Sequence, residues 1–211
     1  MSTTYVNRKG VTYYLCQTTT KTGKPRYYFA RAPQGTSVER VPEGFRISES
    51  ANGLVSLERD RPSQILPEEV AAVEMAIARH PKPRDYHVGV KRDWVEISER
   101  LGPDADQLIA ALGGVLGVLP GAAEHLRSEL EAVGRFAPAL RFRLIDAERR
   151  TFAVERWCSL GSIDDWIDVG LSGPLNRLVE PAIARLGDES FYDPFWYSYD
   201  SALTDPKEQQ S

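Results

Sequence analysis

Apolar and polar side chains alternate through the first sixty residues. Residues 3–6, 11–17 and 24–31 read as three antiparallel strands, joined by the turn Asn7-Arg8-Lys9-Gly10 and by a threonine-rich turn ending at Gly23. Asparagine and glycine supply the positive φ that β-branched neighbours resist. A period of two sorts the side chains of this meander onto two faces. Val11, Tyr13, Leu15, Tyr27 and Phe29 fall on one face, expected to be buried. Thr12, Tyr14, Cys16, Arg26, Tyr28 and Ala30 fall on the other, expected to be solvated.

Shorter apolar runs follow at residues 44–47 and 54–57, around Ser50-Ala51-Asn52-Gly53. Asn-Gly between alternating stretches is a strong hairpin signal. This hairpin is expected to continue the first sheet, giving a five-stranded N-terminal β region. Leu66-Pro67-Glu68-Glu69 opens a helix, with Pro at the first helical position and carboxylates at the positive end of the dipole. Val70, Val73 and Ile77 form its apolar stripe, and His80-Pro81 ends it.

Residues 86–90 and 94–98 form another hairpin. After a glycine-interrupted segment, which contains Gly113 and Gly117 at a small-xxx-small spacing, a helix starts at Pro120 with Ala123, Leu126, Leu130 and Val133 on one face. Residues 140–146 and 151–157 pair across the turn 147–150, with Phe142 and Leu144 inward between Arg141 and Arg143. Ser162 with Asp165 resembles a capping box and predicts a short helical turn through Trp166. Gly173-Pro174 opens the last helix, whose apolar residues are Leu175, Leu178, Ile183 and Leu186 and which carries Pro181 inside. The fold class is therefore α+β: an antiparallel β meander and hairpin, then helices alternating with β-hairpins. The expected organisation is an N-terminal β region over residues 1–62, an α+β region over 63–202 and a disordered tail over 203–211.

Composition sharpens this picture in one place. The 211-residue chain has a formal charge of -4, 42% hydrophobic residues and 27% charged residues. Residues 1–38 contain Arg8, Lys9, Lys21, Lys24, Arg26 and Arg31 and no Asp or Glu, a charge of +6. The rest holds 20 basic and 30 acidic residues, a charge of -10. Such asymmetry points to a local anionic partner rather than to a basic protein overall. The longest uncharged run, residues 108–123, is sixteen residues with four glycines and Pro120. A membrane span needs about twenty. No apolar leader opens the sequence, and a soluble cytoplasmic protein with no membrane partner is expected.

The segments Tyr5-Val6-Asn7-Arg8-Lys9-Gly10 and Thr20-Lys21-Thr22-Gly23-Lys24-Pro25-Arg26-Tyr27 resemble a family of uncharacterised prokaryotic proteins. So do Ile47-Ser48-Glu49 with Asn52-Gly53, the run Leu160-Gly161-Ser162-Ile163-Asp164-Asp165-Trp166, and Gly187-Asp188-Glu189-Ser190-Phe191. The resemblance spans most of the chain and implies a shared architecture. The family has no assigned activity, so the resemblance implies none.

Candidate chemistry centres on the basic meander. Arg8, Lys9, Lys21, Lys24, Arg26 and Arg31 would meet the phosphates of a nucleic acid or the carboxylates of an acidic protein, and Tyr14 and Tyr28 would stack on bases. The plainer alternative is a solvated sheet whose cations discourage edge pairing. Asp164, Asp165 and Asp168, with Glu189 beyond, form the densest acidic cluster. Paired carboxylates can hold Mg²⁺ or do acid/base work, with Asp164 and Asp168 able to share a helix face, and the favoured reading is helix capping and solvation beside Trp166. His80, Asp85 and His87 lie near Pro81 and Pro83 without a nucleophile, as an extended loop would. His125 stands alone on its helix. Cys16 and Cys158 are far apart and form no metal-ligand spacing. No phosphate-binding glycine motif occurs, so neither metal nor cofactor is expected. The sequence thus predicts a non-catalytic binding protein with a nucleic-acid or acidic partner. The alternative is an interaction component docking through Phe191, Tyr192, Phe195, Trp196, Tyr197 and Tyr199.

Overall fold

A computed structural model describes residues 3–102, 105–112, 121–159 and 164–188. In chain order its strands are β1 (Thr4–Val6), β2 (Thr12–Thr19), β3 (Pro25–Ala30), β4 (Thr36–Ser37), β5 (Phe45–Glu49) and β6 (Val55–Arg59). Helix α1 (Pro67–Ala78) leads to β7 (Tyr86–Val90) and β8 (Trp94–Leu101), then to helices α2 (Ala105–Ala111) and α3 (Ala122–Val133). Strands β9 (Arg135–Asp146), β10 (Thr151–Ser159) and β11 (Asp164–Pro174) precede helix α4 (Leu175–Ile183). The α+β class read from the sequence is the class observed.

The chain groups into two compact units, each built from two segments. The first comprises residues 1–62 and 100–137, the second residues 63–99 and 138–211. The first break thus follows Pro62, and the segment carrying α2 and α3 belongs with the N-terminal strands.

In the first unit β2 is the central strand of a small antiparallel sheet. It pairs with β3 along one edge, while β1 and β4 lie end to end along the other, opposite residues 12–14 and 16–17. The inward residues Tyr13 and Leu15 are buried as their period predicts. Cys16 is 1% exposed, although the same period assigns it to the solvated face. That face is therefore covered around Cys16, and Tyr14 and Tyr28 beside it are half-buried. Strands β5 and β6 pair only with each other, as a separate two-stranded sheet next to β3. The expected five-stranded continuation does not form. Helices α2 and α3 pack together in the same unit.

The second unit is a two-layer structure. Its antiparallel sheet has the order β11-β10-β9-β8-β7, an up-and-down meander into which residues 100–137 are inserted. Helices α1 and α4 pack against each other and on one face of this sheet. Between the layers lie Val73, Ala76 and Ile77 of α1, Val95 and Ile97 of β8, Phe142 of β9, Phe152 and Val154 of β10, and Leu178 and Ala182 of α4. Glu69 caps α1 by accepting the Leu66 N–H at 2.8 Å, and the same carboxylate accepts the Arg150 Nε–H at 3.0 Å. Arg150 has a φ of 50°, a left-handed conformation that closes the β9–β10 turn. Residues 164–174, expected to begin with a helical turn, are a strand. Val169 is buried, and Leu171 packs against the same core.

Candidate functional site

Three turns of the first unit share one design. In 7–11, 20–24 and 50–54 the third peptide link ends on a glycine of positive φ (Gly10, 72°; Gly23, 79°; Gly53, 75°). Each glycine N–H donates to the carbonyl of the first turn residue at 2.9 Å, and each first residue donates its N–H to the carbonyl four positions on. The first side chain always holds the turn. Asn7 Oδ1 accepts the N–H of Lys9 and Val11, Ser50 Oγ accepts those of Asn52 and Leu54, and Thr20 Oγ1 accepts that of Lys24 at 3.1 Å. A side-chain oxygen that satisfies turn amides in this way fixes the loop without tertiary help.

Two of the three turns are used to tie the unit together. The buried Asn7 donates from Nδ2 to the Gly53 carbonyl at 2.7 Å. A side chain at Gly53 would place its Cβ 2.9 Å from that nitrogen, so glycine is required there for space as well as for φ. Asn52 in turn makes a reciprocal pair with the Phe136 backbone, donating at 2.9 Å and accepting at 2.7 Å. Glu49 accepts the Tyr5 hydroxyl at 3.0 Å and the Arg8 N–H at 3.1 Å. The Glu49 hydrogen bond, then burial and the charge of the carboxylate, hold the Tyr5 hydroxyl above its ordinary pKa near 10.

The sequence-predicted cations divide accordingly. Arg8 lies 3.8 Å from Glu49 and stacks over the Phe136 ring at 5.3 Å, and Lys9 Nζ donates to the Gly134 carbonyl at 3.0 Å. Both are part of the internal stitching. Lys21, Lys24 and Arg26 are exposed around the 20–24 turn and make no ion pair among the described residues. Arg31 is also exposed, but it follows Ala30, the partner of Tyr14, whereas Pro25 faces Thr19. Five strand residues, or about 17 Å, separate it from the turn. The half-buried Tyr14 and Tyr28 lie mid-strand between these ends. The structure therefore brings Lys21, Lys24 and Arg26 together at one tip and leaves the other five named residues elsewhere.

The acidic cluster has a different geometry from the one expected. On β11, Asp164 faces Ser159 and Asp168 faces Glu155, four strand residues or about 13 Å apart. Each carboxylate is used locally: Asp164 accepts from Ser159 Oγ at 2.6 Å, Asp165 from the Trp166 N–H and Asp168 from the Gly170 N–H, both at 2.7 Å. His80 Nδ1 accepts the Lys82 N–H at 3.1 Å, and its Nε2 reaches the Leu186 carbonyl at 3.2 Å. His87 is instead on β7, facing Ser98 of β8. Among the described residues no three His, Cys, Asp or Glu side chains are placed to hold a metal ion. Glu189, the aromatic run from Phe191 to Tyr199, the Gly113/Gly117 spacing and the 203–211 tail lie outside the described residues.

One arrangement escaped the sequence reading. On the sheet face opposite α1 and α4, the buried Glu155 pairs with Arg141 and, at 2.7 Å, with Arg143. The Arg141 guanidinium stacks between Trp166 at 4.4 Å and Trp94 at 5.2 Å, and Trp157 meets Trp166 edge-on at 5.3 Å. The signal was the Arg-Phe-Arg alternation of 141–143 itself, which needs an acid on the neighbouring strand. Here one carboxylate offsets part of the charge of two guanidinium groups, and the indole faces are occupied by a cation of the same sheet. No helix of the described residues is long and apolar enough to cross a membrane. Compared with family models, curated proteins and solved structures, the chain gives no match.

Proposed function

We propose that this chain is a non-catalytic binding protein that holds an anionic partner, nucleic acid or an acidic protein, on the tip of the β2–β3 hairpin. The observation that carries this reading is the contrast among three turns of one design. Two turns spend their polar groups inside the unit, and the third carries Lys21, Lys24 and, on the adjoining strand, Arg26 without an ion-pair partner among the described residues. Edge protection explains a charge on β3. It does not explain the exclusion of acids from all of residues 1–38, most of which are not on the β3 edge.

The test is binding of the full chain to labelled duplex DNA, single-stranded DNA and polyglutamate over a range of salt. Retention at low salt is expected, weakening as salt rises. If all three cations met duplex phosphates the slope of log K against log salt would be about -2.7, the steepest this tip can give. Changing Lys21, Lys24 and Arg26 together to Glu should abolish retention. Failure of all three polyanions to bind at the lowest salt would overturn the reading.

A further inference from the structure

We infer that the partner is duplex DNA, and that the tip enters its major groove as a two-stranded ribbon; this rests on the anionic-partner reading above. The shape comes first. Along β2, β1 reaches only to Tyr14 and β4 only to Gln17, so among the described residues no third strand flanks Thr18 and Thr19. Thr18, Thr19, Lys24, Pro25 and Arg26 are all exposed, which leaves both faces of this ribbon open to solvent. Two strands lie about 4.8 Å apart, and with side chains the ribbon fits a groove about 12 Å wide. The minor groove, about 6 Å wide, admits such a ribbon only when the duplex is deformed to widen it.

The chemistry agrees with the shape. Arg26 faces Thr18 across the ribbon, and Lys24, two residues before it, shares that side. Arginine and lysine donate to O6 and N7 of guanine, and a threonine methyl packs on the methyl of thymine. Lys21 sits on the turn itself, where a phosphate contact fixes position without reading sequence. The Thr20 hydroxyl holds the turn through both the N–H and the carbonyl of Lys24, at 3.1 and 3.0 Å. A ribbon fixed in this way loses little freedom on binding. An acidic protein surface would use the same charges but has no need of a ribbon open on both faces.

Selection from a randomised duplex pool with the full chain should enrich sites containing guanine. Replacing the selected guanines by 7-deazaguanine removes only the N7 acceptor in the major groove, and it should weaken binding about ten-fold. Arg26→Ala should bind weakly and ignore that replacement. Lys21→Ala should keep the preference and reduce the salt slope by about 0.9. Equal affinity for polyglutamate or for single strands, or indifference of the unaltered protein to 7-deazaguanine, would overturn the groove proposal and leave an anionic partner. Absence of binding to any of these polyanions would overturn both. The substituted positions are exposed, so an unchanged thermal transition verifies that each variant is folded.

Discussion

The two units solve the problem of holding a sheet together by different means. In the second, twenty buried side chains of the described residues, from α1, α4, the five strands and the flanking Ile65 and Leu186, form one continuous apolar cluster. In the first, the buried hydrophobic side chains among the described residues are Tyr13, Leu15, Cys16 and Val55. So small an apolar interior contributes little transfer free energy, at about 25 cal/mol per Å² removed from water. Directed bonds replace it: Asn7 to Gly53, Asn52 to Phe136, Tyr5 and Arg8 to Glu49, and Lys9 to Gly134. The lesson is that a side chain which looks like turn chemistry can also be the tertiary contact. It also explains why two of the six cations of the basic segment are consumed internally and four are not.

Mutation can widen or erase this contrast. The largest effect is expected for Phe142→Ala, which empties a fully buried position between the layers of the second unit. Urea denaturation should show a loss of about 3–5 kcal/mol. Asn7→Ala strands the Gly53 carbonyl and two turn amides and should cost about 2 kcal/mol. Amide hydrogen exchange should localise that loss to residues 1–62 and 100–137. If Asn7→Ala proved as mild as an exposed substitution, the polar account of the first unit would fall.

A smaller effect is expected for Tyr5→Phe, and it has a pH signature. The folded state holds the Tyr5 proton more tightly than the unfolded chain does. The resulting stability is present below the unfolded pKa of about 10 and disappears as pH rises through the raised folded value. Denaturation midpoints should therefore fall less between pH 9 and 11 for Tyr5→Phe than for the unaltered protein. Smallest of all, Lys21→Ala should change stability by less than about 0.5 kcal/mol.

Much of the fold was legible because most elements carry their own local signals. Pro67 with Glu68 and Glu69 marks the start of α1, and the Gly10, Gly23 and Gly53 turns set the hairpins. What failed was information held by neighbours. Ser162 and Asp165 imitate a capping box, yet Ile167, Val169 and Leu171 alternate, and pairing of residues 164–174 with β10 decides for a strand. Cys16 obeys its period and is still buried, since period fixes a face and not what covers it. The hairpin β5–β6 was recognised, but whether its edge would pair with β3 was not written in either strand. The candidate site was legible as a list of cations. That Arg8 and Lys9 belong to the interior required Glu49, Phe136 and Gly134, which lie 41 to 128 positions away.

The insertion of residues 100–137 into the sheet meander bears on how the chain is made. During synthesis the Asn52 side chain emerges 84 residues before the Phe136 backbone it pairs with. The strands β1 to β6 must then wait on the ribosome without their last polar partners, at roughly 5–20 residues per second for a few seconds or more. The lower apolar content of residues 1–62 taken whole, 21 of 62 residues against 42% for the chain, suits that interval. A nascent sheet with little to aggregate can remain exposed until its closing segment arrives, and a gene fragment ending at Pro62 would encode strands that never receive it.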